Sequence, residues 1–371
     1  MLIAATIPFT VDRFFREYLS QLLEVGCRVD VLTSPGPELV RLRVTYPGVT
    51  FHEVPMRRGI AVLADFGSLM RVMRLIRMRR PYASIAMTPK ASLLVMVASF
   101  LARTPYRLYA TGGLRLEGSE GAQRLVLWLM EKVTCVAAND VVANSRSLAA
   151  AYRASRLAVE PKLRTVMEGS SHGVDTEYFF PATQAQRTDG PLQIGFVGRL
   201  TRDKGIPTLL EACVLLAERG AEFELHVVGP QDEPDSAAFL GLMRSQSFVV
   251  HVRPPMDDVR PALRNMDVLV LPSLREGFPN VVLEAAAMGI PSVVSDATGC
   301  IDSVIDQVTG LVVPVQDPKA LAEALCSLSD DRARVRALGM EARRRAVTDF
   351  RPRDVVQGVL KHAIADRPVG M

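Results

Sequence analysis

The 371-residue sequence predicts an α/β protein built from two doubly wound parallel sheets. Apolar runs of strand length alternate with amphipathic runs of helical period along the whole chain, the pattern of a parallel sheet covered by helices on both faces. A polar stretch, Pro181–Pro191, holds little that could pack, and the alternation restarts after it. The length fits two or three domains, each able to bury its own core.

In the first half, strands are expected at Leu2–Ile7, Arg28–Thr33, Thr50–Val54, Ser84–Met87, Arg107–Ala110, Val141–Ala143 and Arg164–Val166. Helical periodicity falls between them at Asp12–Val25, Val62–Arg80, Ala91–Leu101, Ala122–Val136 and Ser145–Ala154. After the polar stretch, strands are expected at Leu192–Val197, Glu224–Val228, Phe248–Val252, Val268–Leu271, Ser292–Ser295 and Leu311–Val313. Helices there fall at Ile206–Arg219, Ala237–Arg244, Asn280–Met288 and Ala320–Ser327. Residues 1–182 then form one domain, 190–349 a second, and 350–371 hold a terminal helix. In open α/β sheets ligands sit beyond the strand C-terminal ends, so two such domains would share a cleft.

Composition narrows the class. The chain is 49% hydrophobic, as expected of a folded globular protein. Its five cysteines are scattered and form no C-x-x-C, which points away from a disulfide framework or zinc site and towards a reducing compartment. Met1–Ile7 is apolar without a basic flank or cleavage site and reads as a first strand. The longest apolar stretch, Ala91–Ala102, falls short of the roughly 18–20 residues that span a bilayer and reads as a buried helix. The net charge of +4 hides an asymmetry: from Met56 to Arg115 the bases are Arg57, Arg58, Arg71, Arg74, Arg77, Arg79, Arg80, Lys90, Arg103, Arg107 and Arg115, against the single acid Asp65. Such a field suits anionic lipid, polyphosphate or nucleic acid. No nucleic-acid motif or aromatic interleaving supports the last.

Two segments carry chemistry. In Gly198-Arg199-Leu200-Thr201-Arg202-Asp203-Lys204-Gly205, two cations flank a strand-to-helix turn. A helix N-terminus attracts anions, and a guanidinium and an ammonium add charge-assisted bonds to phosphate. A solvated basic turn is the plain alternative. In Glu276-Gly277-Phe278-Pro279-Asn280-Val281-Val282-Leu283-Glu284, two carboxylates lie eight residues apart across a loop that enters a helix near Asn280. Glu284 then sits about 6 Å along the helix axis, while Glu276 stays on the loop. One carboxylate can reach a sugar and the other a ribose, with the helix N-terminus between them facing a diphosphate. Together the two segments describe a nucleotide-sugar pocket. Asp257-Asp258 reads as a helix cap.

With these motifs the chain resembles the retaining glycosyltransferases of family 4, which have the GT-B fold: Glu276 and Glu284 match the E-x7-E motif, Arg199 and Lys204 the Arg/Lys pair. Thr88-Pro89-Lys90-Ala91, Gly113-Leu114-Arg115-Leu116-Glu117, Gly169-Ser170-Ser171-His172-Gly173-Val174-Asp175 and Asp296-Ala297-Thr298-Gly299-Cys300 are similar to the subgroup that builds capsules, exopolysaccharides and O-antigens. The resemblance implies that Arg199 and Lys204 stabilise the leaving diphosphate and that Glu284 holds the ribose. Glu276 would hold the donor sugar, with the backbone of Gly277, Phe278 and Pro279, and the base would lie near Val252 and Arg253. The first domain would bind a polyprenyl-diphosphate-linked saccharide, with Arg13, Phe14, Lys90, Gly112, Gly113, Arg115 and Glu117 as candidate contacts. An Arg115–Glu117 salt bridge is an equal alternative for those two. The terminal helix would cross back to the first domain.

Two departures stand out. Many members carry His where this chain has Gly112, and His172 falls where the family has Asn and reads as structural. The first loop, Pro8-Phe9-Thr10-Val11-Asp12-Arg13-Phe14-Phe15, lacks the family's glycines. His52, His226 and His251 read as strand residues and His362 as a terminal-helix residue. With no D-x-D near the phosphate residues, metal independence and no cofactor are expected. Along Leu69–Arg80, Arg71, Arg74 and Arg77 recur at helical spacing opposite Leu69, Val72, Met73 and Ile76. The choice is between an ordinary surface helix and one that docks on an anionic membrane. The expected setting is the cytoplasm, peripheral on the inner face of the membrane. The competing readings are a GT-B epimerase and an inactive nucleotide-sugar-binding subunit of an assembly complex. A Rossmann dehydrogenase is disfavoured because no G-x-G-x-x-G follows the first strand.

Overall fold

The computed structural model describes residues 1–56, 59, 61–181, 190–231 and 235–365. The basic pair Arg57–Arg58 and all but the ends of the Pro181–Pro191 stretch lie outside the described residues. Two compact units emerge: Met1–His172 together with the segment from Pro352, and Gly173–Arg351.

The first unit runs β1 (Leu2–Ala4), α1 (Pro8–Phe14), α2 (Arg16–Glu24), β2 (Val29–Thr33), α3 (Glu38–Thr45), β3 (Val49–Glu53), α4 (Val62–Arg79), β4 (Ala83–Ala86), α5 (Pro89–Leu101), β5 (Tyr106–Thr111), α6 (Gly121–Ala137), β6 (Asp140–Ala143), α7 (Arg146–Ala154) and β7 (Leu163–Thr165). Its strands form a parallel sheet in the order β3-β2-β1-β4-β5-β6-β7. Leu2 pairs with Asp30 on one side and Ser84 on the other, so the strand order reverses at β1/β4. Central strands such as β2 and β4 are buried throughout, which explains their unbroken apolar runs; the edge strand β3 is half-exposed. The expected helix over Asp12–Val25 is two helices, broken at the fully buried Phe15, which leaves helical geometry at φ −104°, ψ 1°. Helix α5, built on the Ala91–Ala102 stretch, is buried along most of its length.

The second unit runs β8 (Leu192–Val197), a 3-10 turn (Arg202–Lys204), α8 (Ile206–Glu218), β9 (Phe223–Val228), α9 (Ser236–Arg244), β10 (Val249–Arg253), α10 (Arg260–Leu263), β11 (Val268–Leu271), α11 (Asn280–Ala287), β12 (Ser292–Ser295), α12 (Cys300–Ser303), β13 (Gly310–Val313), α13 (Pro318–Asp330) and α14 (Arg332–Asp349). The parallel order β10-β9-β8-β11-β12-β13 puts the topological switch between β8 and β11, where Val268 pairs with Ile194. Helix α14 falls outside the helices expected from sequence because its six arginines interrupt the apolar pattern. Its narrow stripe of Val335, Leu338, Ala342 and Ala346 packs inward. At Gly339 an added Cβ would lie 2.1 Å from the Gly289 carbonyl oxygen.

The last helix, α15 (Pro352–Ala365), belongs to the first unit. It buries Val356, Val359, Leu360 and Ala363 in the cluster that holds Tyr18, Leu19 and Leu22 of α2. Arg164 ties it down, donating to the carbonyls of Gly358 and Val359 at 3.0 Å each while its guanidinium pairs with Asp140 at 2.7 Å. No helix among the described residues is long and apolar enough to cross a membrane.

Candidate active site

In the second unit, the two segments singled out from sequence leave adjacent strands at the switch point. Gly198 follows β8, and the loop of Pro272–Pro279 follows β11. Their backbones interlock. The Leu274 N–H donates to the Asp203 carbonyl at 2.9 Å, and Gly205, at φ +74°, lies so close to Pro272 that an added Cβ would stand 2.0 Å from its carbonyl oxygen. A third loop braces them from β12. The Glu276 N–H donates to the Thr298 carbonyl at 2.8 Å, and Gly299, at φ +79°, abuts the backbone of Glu276 and Gly277. Only glycine fits such close approaches in this region of φ.

Side chains converge on the same spot. The Lys204 ammonium forms an ion pair with Glu276, whose Oε1 also accepts from the Ser273 hydroxyl at 3.0 Å. Asp203 gathers the other cations, with Arg199 at 3.3 Å and Arg275 at 3.7 Å. Burial pushes the Asp203 carboxyl up, but the Thr201 hydroxyl and the charges of Arg199, Lys204 and Arg275 outweigh it and hold it below the ordinary carboxylate value. Arg275 and Ser273 belong to no segment singled out from sequence, and Thr298 only to the Asp296–Cys300 segment; their signal lies in adjacency to Glu276 and Gly299.

Helix α11 begins at Asn280 as expected, with extended Pro279 before it and neither a capping side chain nor an acid in its first turn. Glu284 is half-buried one turn in. The Phe278 ring turns away into the core against Phe350, leaving its backbone on the loop. Val252 and Arg253 end the edge strand β10, whose Arg253 carbonyl accepts from Gly229 at 3.3 Å; Gly229 in turn packs on the Gly198 carbonyl. Asp258 accepts from the Arg260 N–H at 3.0 Å and pairs with the same guanidinium, as a turn-forming residue does.

Among the described residues, Glu224, His226 and His251 bring ligand atoms within 4.8 Å of one another and could hold a metal ion. In this structure each ring Nε2 already has a partner, Gln193 at 2.6 Å for His226 and Glu224 at 2.9 Å for His251. Gln193, in register with Glu224, puts the cluster near the strand N-terminal ends, away from the Lys204 loop.

In the first unit, Lys90, Arg115, Leu93, Leu114 and Leu116 line one cavity with Glu131 of α6. Lys90 is buried and ion-paired with Asp65. Glu131, which belongs to no motif legible in the sequence, is pushed up by burial although the Tyr152 hydroxyl donates to it at 2.6 Å. Gly112 is exposed, and its nearest outside atom, Asn144 Nδ2, would lie 3.7 Å from an added Cβ. Gly113 follows at φ +139°, and Glu117 is half-buried. Arg13 and Phe14 lie elsewhere, against the turn at 170–172: the Phe14 and His172 rings are 4.9 Å apart, and His172 Nδ1 bonds the Ser171 hydroxyl at 2.7 Å. Burial, helped by the Arg13 charge, holds the His172 imidazole down to about 4, so it is a neutral packing residue near pH 7.

Residues 191–331 match the model for glycosyl transferases group 1, and residues 10–167 that for the glycosyl transferase 4-like domain. The chain is 33% identical over 333 residues to the capsular polysaccharide biosynthesis glycosyltransferase CapM of Staphylococcus aureus, covering 87% of this chain and 86% of CapM. The chain belongs to the group 1 glycosyl transferase family. The transferase is also 36% identical over 135 residues to the N,N'-diacetylbacillosaminyl-diphospho-undecaprenol alpha-1,3-N-acetylgalactosaminyltransferase of Campylobacter jejuni, a match over 36% of this chain and 35% of that one. Its fold is GT-B: the structure of Anabaena Alr3699/HepE in complex with UDP and glucose superposes with a TM-score of 0.79 at 16% identity, over 98% of this chain and 99% of that one.

Proposed function

We propose that this glycosyltransferase moves a sugar from a nucleotide diphosphate, with UDP as the nucleotide, to a polyprenyl-diphosphate-linked saccharide in bacterial surface-polysaccharide assembly, with retention at the anomeric carbon. The observation that carries the reading is the convergence of Arg199, Lys204 and Glu276 at the switch point of the second sheet. UDP on the Anabaena neighbour and a diphospho-undecaprenol acceptor in the Campylobacter relative's name support the donor and acceptor classes.

In this reading Arg199 and Lys204 take the diphosphate, Glu276 and the backbone of Gly277–Pro279 take the sugar, and Glu284 takes the ribose. Val252 and Arg253 flank the base. The acceptor hydroxyl attacks the anomeric carbon from the face the diphosphate leaves. The new C–O bond forms as the bond to the diphosphate breaks, and the leaving phosphate oxygen accepts the hydroxyl proton. The protein's part is fixed positive charge where negative charge builds up. Neither a metal nor a cofactor enters these steps. Lys90, Gly112, Gly113, Arg115 and Glu117 bound the acceptor end, with Arg13 and Phe14 as outlying contacts.

The test is nucleotide release from UDP- and GDP-sugars with membrane extract, with and without EDTA. Acceptor-dependent UDP release that survives EDTA is the expected result. Donor binding without any release would favour the inactive-subunit reading, for which Gly112 at the family's His position is the specific observation.

A further inference from the structure

Strand β10 is an edge of the second sheet, and none of its residues is fully buried. Its middle residue, His251, pairs in register with His226 of β9, and Glu224 of β9 pairs with Gln193 of β8. Side chains alternate between the faces of a strand, so Glu224 and His226 share one face, and parallel register puts Gln193 and His251 there as well. The two imidazoles stack, with centroids 4.7 Å apart and planes 20° apart. Among the described residues, Glu224, His226 and His251 are the one group of three His, Cys, Asp or Glu whose ligand atoms all lie within 4.8 Å of one another.

Hydrogen bonds fix how the cluster points. Gln193 Nε2 donates to the Pro191 carbonyl at 3.0 Å, so Gln193 Oε1 is the atom turned to His226 Nε2 at 2.6 Å. Glu224 Oε2 meets His251 Nε2 at 2.9 Å. An amide oxygen and a carboxylate oxygen only accept, so each Nε2 carries the proton. Two imidazoles and a carboxylate are a zinc ligand set, and the Gln193 carbonyl supplies a fourth donor. Bonds of about 2.0–2.1 Å to a tetrahedral ion put its ligand atoms roughly 3.4 Å apart, so each N···O pair need open by less than about 1 Å. Each ring then keeps its proton on Nδ1, and no proton has to leave the cluster. Magnesium and calcium prefer all-oxygen shells of six or more ligands and do not match this set. The floor of the cluster is dry: His226 is 9% exposed, and on the register-paired Gly195 an added Cβ would lie 2.0 Å from the Met266 sulfur. Its mouth is open, the His251 side chain being 43% exposed.

We propose that Glu224, His226 and His251, with the Gln193 carbonyl, bind one zinc-class divalent ion that clamps the edge strand β10 to β9 and β8. The cluster lies away from the Lys204 loop, and the site stands apart from the transfer reaction.

The experiment strips the full chain with EDTA, dialyses it, and titrates it with cobalt(II) and then zinc. One cobalt(II) per chain should bind with the visible absorption of a four-coordinate ion, and zinc should displace it where excess magnesium does not. His251→Ala and Glu224→Gln, both at solvent-accessible side chains, should keep near-wild-type circular dichroism and bind zinc at least about tenfold more weakly, the loss that follows removal of even an outer-shell partner. Zinc at about a hundredfold excess over its Kd should raise the unfolding midpoint of the second unit by roughly 5–10 °C in wild type and not in the variants. Absence of cobalt and zinc uptake, uptake that both variants leave unchanged, or uptake with no rise in the midpoint would overturn the proposal. Nucleotide release is followed on the same samples: release that continues in EDTA while the midpoint falls is the expected pairing, and release that stops when this site empties would overturn its separation from the reaction.

Discussion

Lys204 and Glu276 stand 72 residues apart in sequence and form an ion pair in which both side chains are mostly buried. A diphosphate arriving at Lys204 would compete for this ammonium. Lys204→Ala should therefore lower kcat by about 10²- to 10³-fold, the effect of removing one preorganised donor, in steady-state nucleotide-release assays. Arg199 is half-exposed and leans on Asp203. Arg199→Ala should cost a similar factor in kcat while leaving the unfolding midpoint near wild type, because exposed ion pairs contribute little to stability; near-full turnover would remove Arg199 from the site. His172 gives a prediction in pH. Its folded value lies near 4, below the ordinary 6.5, so the unfolded chain takes up its proton first as pH falls. Its share of stability is whole above about pH 6.5 and drains away towards pH 4. His172→Gln should flatten that part of the urea-midpoint profile. The residue types of the site were legible because Arg, Lys and Glu at those spacings fit few other purposes. Arg275 was not, because only the fold turns it towards Asp203.

At the scale of elements, the glycines of the site divide sharply. Gly205→Ala places a methyl 2.0 Å from the Pro272 carbonyl oxygen at φ +74°, and should cost well over about 2 kcal/mol in chemical denaturation, the left-handed conformation alone costing about 1–2. Gly112→Ala meets only Asn144 Nδ2 at 3.7 Å and should change stability by less than about 0.5 kcal/mol. If the two variants unfold alike, the interlock of the three loops is not as described. Most central strands were legible because burial on both faces leaves a continuous apolar run, as in β8 and β11. Helices α3 and α14 were not. Their inward faces are narrow, Leu39 with Leu42 in one and Val335, Leu338, Ala342 and Ala346 in the other, and tertiary packing rather than periodicity holds them.

At the scale of the molecule, α15 supplies the first unit's core with Val356, Val359 and Leu360, each no more than 1% exposed. Burying three such side chains is worth roughly 5–9 kcal/mol, comparable to the whole stability of a typical domain. A chain ending at Arg351 should therefore yield a first unit that proteases digest under native conditions while the second unit resists. Equal resistance of both units would refute the dependence. The contact boundary between units falls after His172, ahead of the polar stretch that drew attention in the sequence. Composition marks where a chain cannot pack, whereas the boundary depends on which core each residue joins: Val174 and Phe179 join the second.

The sequence by itself determined the fold class, the family and the two charged segments that meet at the switch point of the second sheet, because strand and helix periods and local motif chemistry are written in neighbouring residues. Only the tertiary structure decided that Lys204 faces Glu276, that Asp203 collects Arg199 and Arg275, that Glu131 is buried beside Lys90, and that the outer side of α6 lies bare. Each of these is a relation between residues distant in sequence or a difference between two faces of one helix. Such relations are fixed by how elements pack on a sheet, and no local pattern encodes them.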